Sequence, residues 1–494
     1  MPTQFRPRQA IYTAQALRAG EQACLQQLGI SGYQLMCRAG EILHAELIQR
    51  WPEGRVNIVC GRGNNGGDAY VVARLLLAEG RTIQVYQWQS ERELAGEAAQ
   101  AQQDFIDAGG TIQPLNDEKL ADCDLIVDGL LGNGFSGEPN DELVSLIRAI
   151  NQFPAPVLAI DLPSGLEPDT GCAPAGAVVA DVTVTLVAYK LGCLTGQARL
   201  YVGELVLADL GIGECLSKHA EMLAQRHTAE QVGDYLRPRS AIAHKGQHGR
   251  LTVIGGDLGM PGSVKLAAEA ALRAGTGLVT VVSQPQHQAT IVQNRPELMF
   301  CRCELVDMEV YSRLGWANVL LLGPGLGQHE WGYNLFKACL LSEKSMVLDA
   351  DGLNFLAIEP SKSDHWILTP HPGEAARLLN TSVAQVEQDR TAAVQALQHK
   401  YGGVVLLKGP GTLIYDGQRL ALCDVGNPGL AVAGSGDLLA GIISAMWAQG
   451  LEAFEAAVVA TLIHGGAADR AATEGQRGML PSDLLPYVRI MANP

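Results

Sequence analysis

The sequence predicts an α/β protein of two domains, each built on a mostly parallel sheet covered by helices. Three observations carry this. From residue 56 onward short β-branched runs alternate with helical patterns, which indicates βαβ units. The alternation dissolves in a polar stretch near residues 216–228 and then resumes. At 494 residues with 56 glycines, the chain is too long for one ordinary core and rich in tight turns.

In chain order, "TAQALRAGEQACLQQLG" and "GYQLMCRAGEILHAELIQRW" have helical spacing, with Gly29 as a stop between them. The first strand series is "VNIVC", "TIQVYQW", "DLIVDGLLG", "PVLAIDLP", "VTVTLVA" and "GELVLADLG". The polar stretch "GIGECLSKHAEMLAQRHTAEQVGDYLRPRSAIAHKGQHG" has few strand signals, and the expected domains are 1–218 and 219–494. The second series is "RLTVIGG", "LVTVVS", "NVLLLGPGLG", "SMVLDADGLNFLA", "HWILTPHPGE" and "VVLLKGPGTLIYDG", followed by one long helical stretch over about 436–472. The halves share no period, so two different domains are joined rather than one duplicated.

A net charge of −16 and 5% aromatics argue against nucleic acid or an anionic membrane as a general partner, since both are held by clustered Lys and Arg. Eleven cysteines without zinc-like pairs suit a reducing compartment. The start "MPTQFRPRQAIYTAQ" lacks a signal-peptide core, and no uninterrupted apolar run of about 18 residues follows. A cytoplasmic protein is expected. The oligomeric state is left open, a homo-oligomer being compatible with the chain.

"VNIVCGRGNNGGDAYVVARLLLAEG" satisfies G-x-G-x-x-G through Gly61, Gly63 and Gly66. A dinucleotide fingerprint also needs an acid about 20 residues on, at the tip of the second strand. Here that tip reads "VYQWQS". The turn instead carries Asn64, Asn65 and Asp68, a set suited to an uncharged or cationic part of a ligand, or to a metal ion. Asp128, Asp161 and Ser164 follow later strands, whose carboxyl ends converge on one crevice in such sheets. Each alone reads more readily as a turn or cap residue, and the three strand-end polar turns together favour function.

The motifs "LMCRAG", "CGRGNNGGDAYVVARLL", "VDGLLGNGFSGE" and "AIDLPSGLEPDTG" resemble the NAD(P)H-hydrate epimerase domain, a Rossmann-like three-layer α/β/α fold, over most of residues 10–210. The resemblance implies that Asn64, Asn65, Gly66, Gly67 and Asp68, with Gly132, Asn133, Gly134, Phe135, Ser136, Gly137 and Glu138, bind the hydrated dinucleotide, and that Asp161 contacts it. It further implies K⁺ held by Asn65, Asp128 and Ser164, an oxygen donor set suited to a hard cation. Asp161 is the acid/base expected to serve the inversion, a reaction that ring opening would leave almost unassisted.

In the second half, "LAVAGSGDLLAGIISAMW" sets Asp437 among Gly434, Gly436 and Gly441 at a helix start, where free amides favour an anion and a carboxylate can take a hydroxyl proton. Lys408 precedes a glycine turn without Walker A spacing, and His371 either meets a ligand or caps a helix. "GMPGSVKLAAEAALRAGTGLV", "GPGLG", "VLDADGLNFL", "TPHPGEAARLL", "LKGPGT" and "GNPGLAVAGSGDLLAGII" together resemble the nucleotide-dependent NAD(P)H-hydrate dehydratase domain of the ribokinase-like superfamily, over nearly all of residues 228–490. By that resemblance Lys408, Gly409, Pro410, Gly411, Thr412 and Gly436 bind the adenine nucleotide. Gly262, Ser263, Gly325, His371 and Asp437 lie at the hydrate, with Asp437 catalytic. Ala433, Ser435 and Ser263 depart from the commoner residues but stay small.

The implied activity is metabolite repair: epimerisation of hydrated NADH and NADPH, then dehydration of the S form with ADP as donor and Mg²⁺ accompanying it. ADP and ATP are not distinguished by any residue. The competing readings are a sugar or vitamin kinase fused to a Rossmann-like module, and a non-catalytic nucleotide sensor.

Overall fold

The computed structural model describes residues 9–88, 94–115, 120–135, 137 and 139–494. The chain forms two compact units that divide between Gln225 and Arg226. The division therefore falls later than the expected one after 218, because the segment up to 225 folds back on the start of the chain. Leu223 N–H donates to Ile11 O at 2.9 Å, and Ala224 and Gln225 pair antiparallel with Ile11 and Ala10.

In the first unit seven parallel strands lie in the order Ile112–Leu115, Ile83–Trp88, Val56–Cys60, Leu125–Gly129, Val157–Ile160, Val182–Leu186, Glu204–Ala208. The chain starts in the middle, runs to one edge, returns and runs to the other. The order reverses between Val56–Cys60 and Leu125–Gly129, the place where such sheets bind ligands. Alternation along these strands serves two cores: Val56, Ile58, Cys60, Leu125 and Val127 face one, Val59 and Ile126 the other. Helices thus cover both faces, the three-layer Rossmann-like arrangement.

Helices Ala14–Leu28 and Gly32–Arg50 are capped by the Thr13 and Ser31 side chains, with Gln34 completing a capping box. Gly29 ends the first at φ 64. A short strand Ala10–Tyr12 pairs in parallel with Tyr189–Lys190, bringing Lys190 opposite Tyr12.

The second unit holds parallel strands in the order Met299–Arg302, Leu278–Ser283, Arg250–Ile254, Val319–Leu322, Ser345–Leu348, Trp366–Leu368, Val404–Leu407, extended by the antiparallel strands Thr412–Tyr415 and Leu420–Cys423. The expected single long helix is two, Ser435–Ala448 and Ala453–Ala471, parted by a turn with Gly450 at φ 101. Both lie almost wholly in the core. Gly441 has a packing role: a Cβ there would meet Ala267 O at 2.1 Å, so helix Pro261–Arg273 approaches at backbone distance. Among the described residues no helix is long and apolar enough to cross a membrane.

Candidate functional sites

At the switch point of the first sheet, the Val56–Cys60 strand turns into helix Asn64–Ala78, whose N-cap Gly63 offers no side chain to its first N–H groups. The turn is compact: a Cβ on Gly66 would lie 2.1 Å from Gly61 O. Where a dinucleotide fingerprint would carry its acid, Gln87 is buried and faces inward, its Nε2 donating to Cys60 O at 3.2 Å and Gly61 O at 3.1 Å. The second strand's tip thus braces the glycine turn.

Beside this turn is a cavity of about 600 Å³ lined by Asn64, Asn65, Asp68, Gly132, Asn133, Gly134, Phe135 and Asp161. Gly66 and Gly67 instead pack beneath it, Gly67 against Met36. Gly137 adopts φ 89 outside the lining, and Ser136 and Glu138 fall outside the described residues. Arg18 Nη1 donates to Asn133 O at 2.8 Å, while the buried Asn133 Oδ1 has no hydrogen-bond partner among the described residues. Glu21, Arg62, Glu97 and Lys190 also line it. Burial first, then the charges of Asp161 and Glu21, lift Asp68 well above the ordinary carboxylate range, with Lys190 opposing.

Asp128 and Ser164 are fully buried and meet twice. Ser164 Oγ donates to Asp128 Oδ1 at 2.6 Å and Ser164 N–H to Asp128 Oδ2 at 2.8 Å. Ser164 Oγ accepts from Leu131 N–H at 2.9 Å, and Asn65 Nδ2 donates to Leu131 O at 2.7 Å, so Asn65, Asp128 and Ser164 are joined through one backbone turn. Burial pushes Asp128 up to about 6, against the hydrogen bonds from Ser164 and Leu130. Asp161, at φ 65, accepts from Lys190 Nζ and from Leu186 N–H (3.0 Å) through Oδ1, and from Asn133 N–H (3.2 Å) through Oδ2.

In the second unit, Asp437 lies in the first turn of Ser435–Ala448, after Gly434 at φ 94. Burial first and then Asp349 raise it to about 6, while a hydrogen bond with Ser263 and the charge of Lys408 oppose. Gly325, at φ 57, packs where a Cβ would lie 3.2 Å from Ser263 Cβ, and Gly262 beside it is open. Gly262, Ser263, Gly325 and Asp437 therefore converge. Lys408 faces Gly436, whose added Cβ would be 3.3 Å from Nζ. Beyond it Thr412 Oγ1 donates to Gly409 O at 3.0 Å, closing a turn in which Gly409 (φ 139) and Gly411 (φ 61) flank Pro410. His371 is a cap: its Nδ1 accepts from Gly373 N–H at 2.9 Å and its own N–H donates to Glu374. Its ring remains 57% exposed at the rim.

Sequence reasoning missed Lys190, Gln87, Asp349 and Glu374. Lys190 lay just past a strand ending, and Gln87 was read only as a missing acid. Asp349 and Glu374 sat inside "VLDADGLNFL" and "TPHPGEAARLL" without a role, yet both flank Lys408. His464, buried with Nε2 unpartnered and held neutral with a pKa of about 4 by burial and Lys408, had no sequence signal.

Fold and sites define a two-domain α/β enzyme in which a Rossmann-like domain joins a ribokinase-like domain, each with an acid at a glycine-rich strand-to-helix turn. A family model described as "YjeF-related protein N-terminus" matches residues 32–192, and one described as "NAD(P)H-hydrate dehydratase" matches 251–489. The chain is 44% identical over 487 residues to the bifunctional NAD(P)H-hydrate repair enzyme of Escherichia coli, covering 98% of this chain and 94% of the relative. The corresponding enzyme of Coxiella burnetii is 44% identical, with 98% and 99% covered. A ribokinase-like superfamily protein from Enterococcus faecalis superposes with a TM-score of 0.51 at 25% identity, over 54% of this chain and 94% of that one. The chain belongs to the family of bifunctional NAD(P)H-hydrate repair enzymes.

Proposed function

We propose that the first domain interconverts the R and S epimers of hydrated NADH and NADPH, and that the second dehydrates the S form with ADP, releasing AMP and phosphate. The observation that carries this is the near-complete alignment with bifunctional repair enzymes, which supports both activities in one chain. A dehydratase accepting one epimer strands the other, and an epimerase feeds the mixture into one outlet.

In the first cavity, Asn64, Asn65, Asp68 and the turn from Gly132 to Phe135 take the damaged nicotinamide end. The unpartnered Asn133 Oδ1 suits a carboxamide N–H. Asp161 serves as base. Asn65, Asp128 and Ser164 would hold K⁺, and their all-oxygen chemistry fits a hard cation, which would fix the turn beside the substrate.

In the second site Asp437 takes the proton of the ring hydroxyl while Lys408 and the amides at Gly436 steady the transferring phosphoryl group. The phosphorylated alcohol then loses phosphate, a far better leaving group than hydroxide, and the adjacent ring carbon gives up a proton, which forms the double bond and restores the dihydropyridine. Mg²⁺ would accompany the nucleotide and neutralise charge on its phosphates.

The deciding experiment mixes the protein with both hydrate epimers and ADP or ATP and follows reduced-nicotinamide absorbance. Full recovery supports both activities, and arrest near half points to a silent epimerase. No recovery with either nucleotide overturns the reading. A kinase would leave a stable phosphorylated alcohol instead of free phosphate, and product analysis separates the two.

A further inference from the structure

We propose that Lys190 is the positioning residue of the first site, fixing the direction of the Asp161 carboxylate so that its Oδ2 is available to the ligand. An ammonium has three donors and no acceptor. Here all three have protein partners: Asp161 Oδ1, Thr185 Oγ1 at 3.1 Å and Leu186 O at 2.6 Å. Lys190 is 1% exposed, so no donor is left for a substrate and Lys190 acts on one only through Asp161. On Asp161, Oδ1 is filled by Lys190 and Leu186 N–H, whereas among the described residues Oδ2 accepts only from Asn133 N–H, the backbone of a cavity-lining residue.

Asp161 at φ 65 and Val187 at φ 67 both occupy a backbone region that side-chain-bearing residues avoid. The clamp lies between them and fixes the carboxylate's direction. Two acids of the same cavity, Glu21 from helix Ala14–Leu28 and Asp68 from helix Asn64–Ala78, are electrostatically coupled to Asp161, and Arg18, Arg62 and Glu97 line the cavity as well.

This rests on the epimerase reading. Hydration of an enamine puts the hydroxyl on the carbon next to the ring nitrogen. Asp161 takes the hydroxyl proton, the C–N bond breaks with its electron pair passing to nitrogen, and nitrogen takes up a proton from water. The resulting aldehyde rotates, nitrogen adds to its opposite face, and the protons return. The sum is an isomerisation with no oxidant or co-reactant.

The test compares Lys190→Met, Lys190→Arg and Thr185→Val in the full chain, separating the epimers chromatographically and subtracting the spontaneous rate. Lys190→Met should lower kcat about a hundredfold with little change in KM. Lys190→Arg should restore most of the rate, and Thr185→Val should lower kcat by less, again with little change in KM. A folded Lys190→Met protein with the native kcat, or one whose loss lies in KM, overturns the proposal. Should that variant fail to fold, a native kcat in Thr185→Val does so. A native chain that never exceeds the spontaneous rate removes the epimerase reading itself, and the role of Lys190 with it.

Discussion

Lys408 Nζ lies 2.8 Å from Asp349 Oδ1 and 3.9 Å from Glu374 Oε2. Burial alone would lower the lysine, but the two carboxylates outweigh it and hold the ammonium above its ordinary value. Thr369 Oγ1 adds a 2.8 Å bond to the same Asp349 oxygen. A phosphate bound here would meet an ammonium with one of its three donors committed to Asp349, and any weakening of that pair would leave a carboxylate beside Asp437 to strengthen its basicity.

Replacing Lys408 with Met should remove nucleotide-dependent dehydration and weaken ADP binding by at least about tenfold, or about 1.4 kcal/mol. It leaves Asp349, 1% exposed, without its cation, so stability should also fall. Nucleotide titration and thermal unfolding measure the two effects. Unchanged ADP affinity would separate Lys408 from the nucleotide.

Asp437 must be ionised to take a proton. With a value of about 6, the rate of dehydration should fall on the acid side of that pH and level off above it. The stability consequence has the opposite sign. A carboxyl raised in the fold binds more protons folded than unfolded between the ordinary value of 3.8 and about 6, so its contribution declines as pH rises through that window. Asp437→Asn should therefore abolish dehydration yet stabilise the second domain at neutral pH, by on the order of 1 to 3 kcal/mol. Denaturant melts at pH 5 and about pH 8 should show the gain growing with pH. An inactive variant that is also less stable would mean Asp437 contributes to the fold, as a cap does.

The acids at the strand ends were legible because strand, glycine turn and helix follow one another in the chain, so Asp68, Asp128, Asp161 and Asp437 carry their context in neighbouring residues. Their partners were not. Lys190 reaches Asp161 across 29 positions and Lys408 reaches Asp349 across 59, pairings that depend on which strands become neighbours. Periodicity also could not part Ser435–Ala448 from Ala453–Ala471, since both are apolar on nearly every face. His371 stayed divided between ligand and cap until Gly373 and Glu374 were seen to close the capping box around it.

Ser164→Ala removes the hydroxyl that joins Asp128 to Leu131. Two buried groups lose a partner, which should lower stability of the first domain by about 1 to 3 kcal/mol. If Ser164 also supplies an oxygen to K⁺, the variant's epimerisation should lose any advantage of K⁺ over Na⁺ or Li⁺. Rates in matched chloride salts test this, and a variant that keeps the native ion preference would remove Ser164 from the donor set.

Gln87→Glu restores the acid that the glycine turn lacks as a dinucleotide fingerprint, so two readings of the turn predict different results. If the turn were a pyrophosphate cradle, the new carboxylate should bind a ribose hydroxyl and NAD⁺ affinity should appear. In the structure the Gln87 amide already serves the protein: Nε2 donates to Cys60 O and Gly61 O, and Oε1 accepts from Gln102 Nε2 at 3.0 Å. A carboxylate cannot donate, so two carbonyls lose their partner and meet a negative charge at a position only 6% exposed. The expected outcome is a loss of about 3 kcal/mol or more with no NAD⁺ binding, since the cost falls on the turn that shapes the cavity. Urea unfolding and equilibrium dialysis with NAD⁺ distinguish the cases, and a stable variant that binds NAD⁺ would return the turn to the ordinary dinucleotide class.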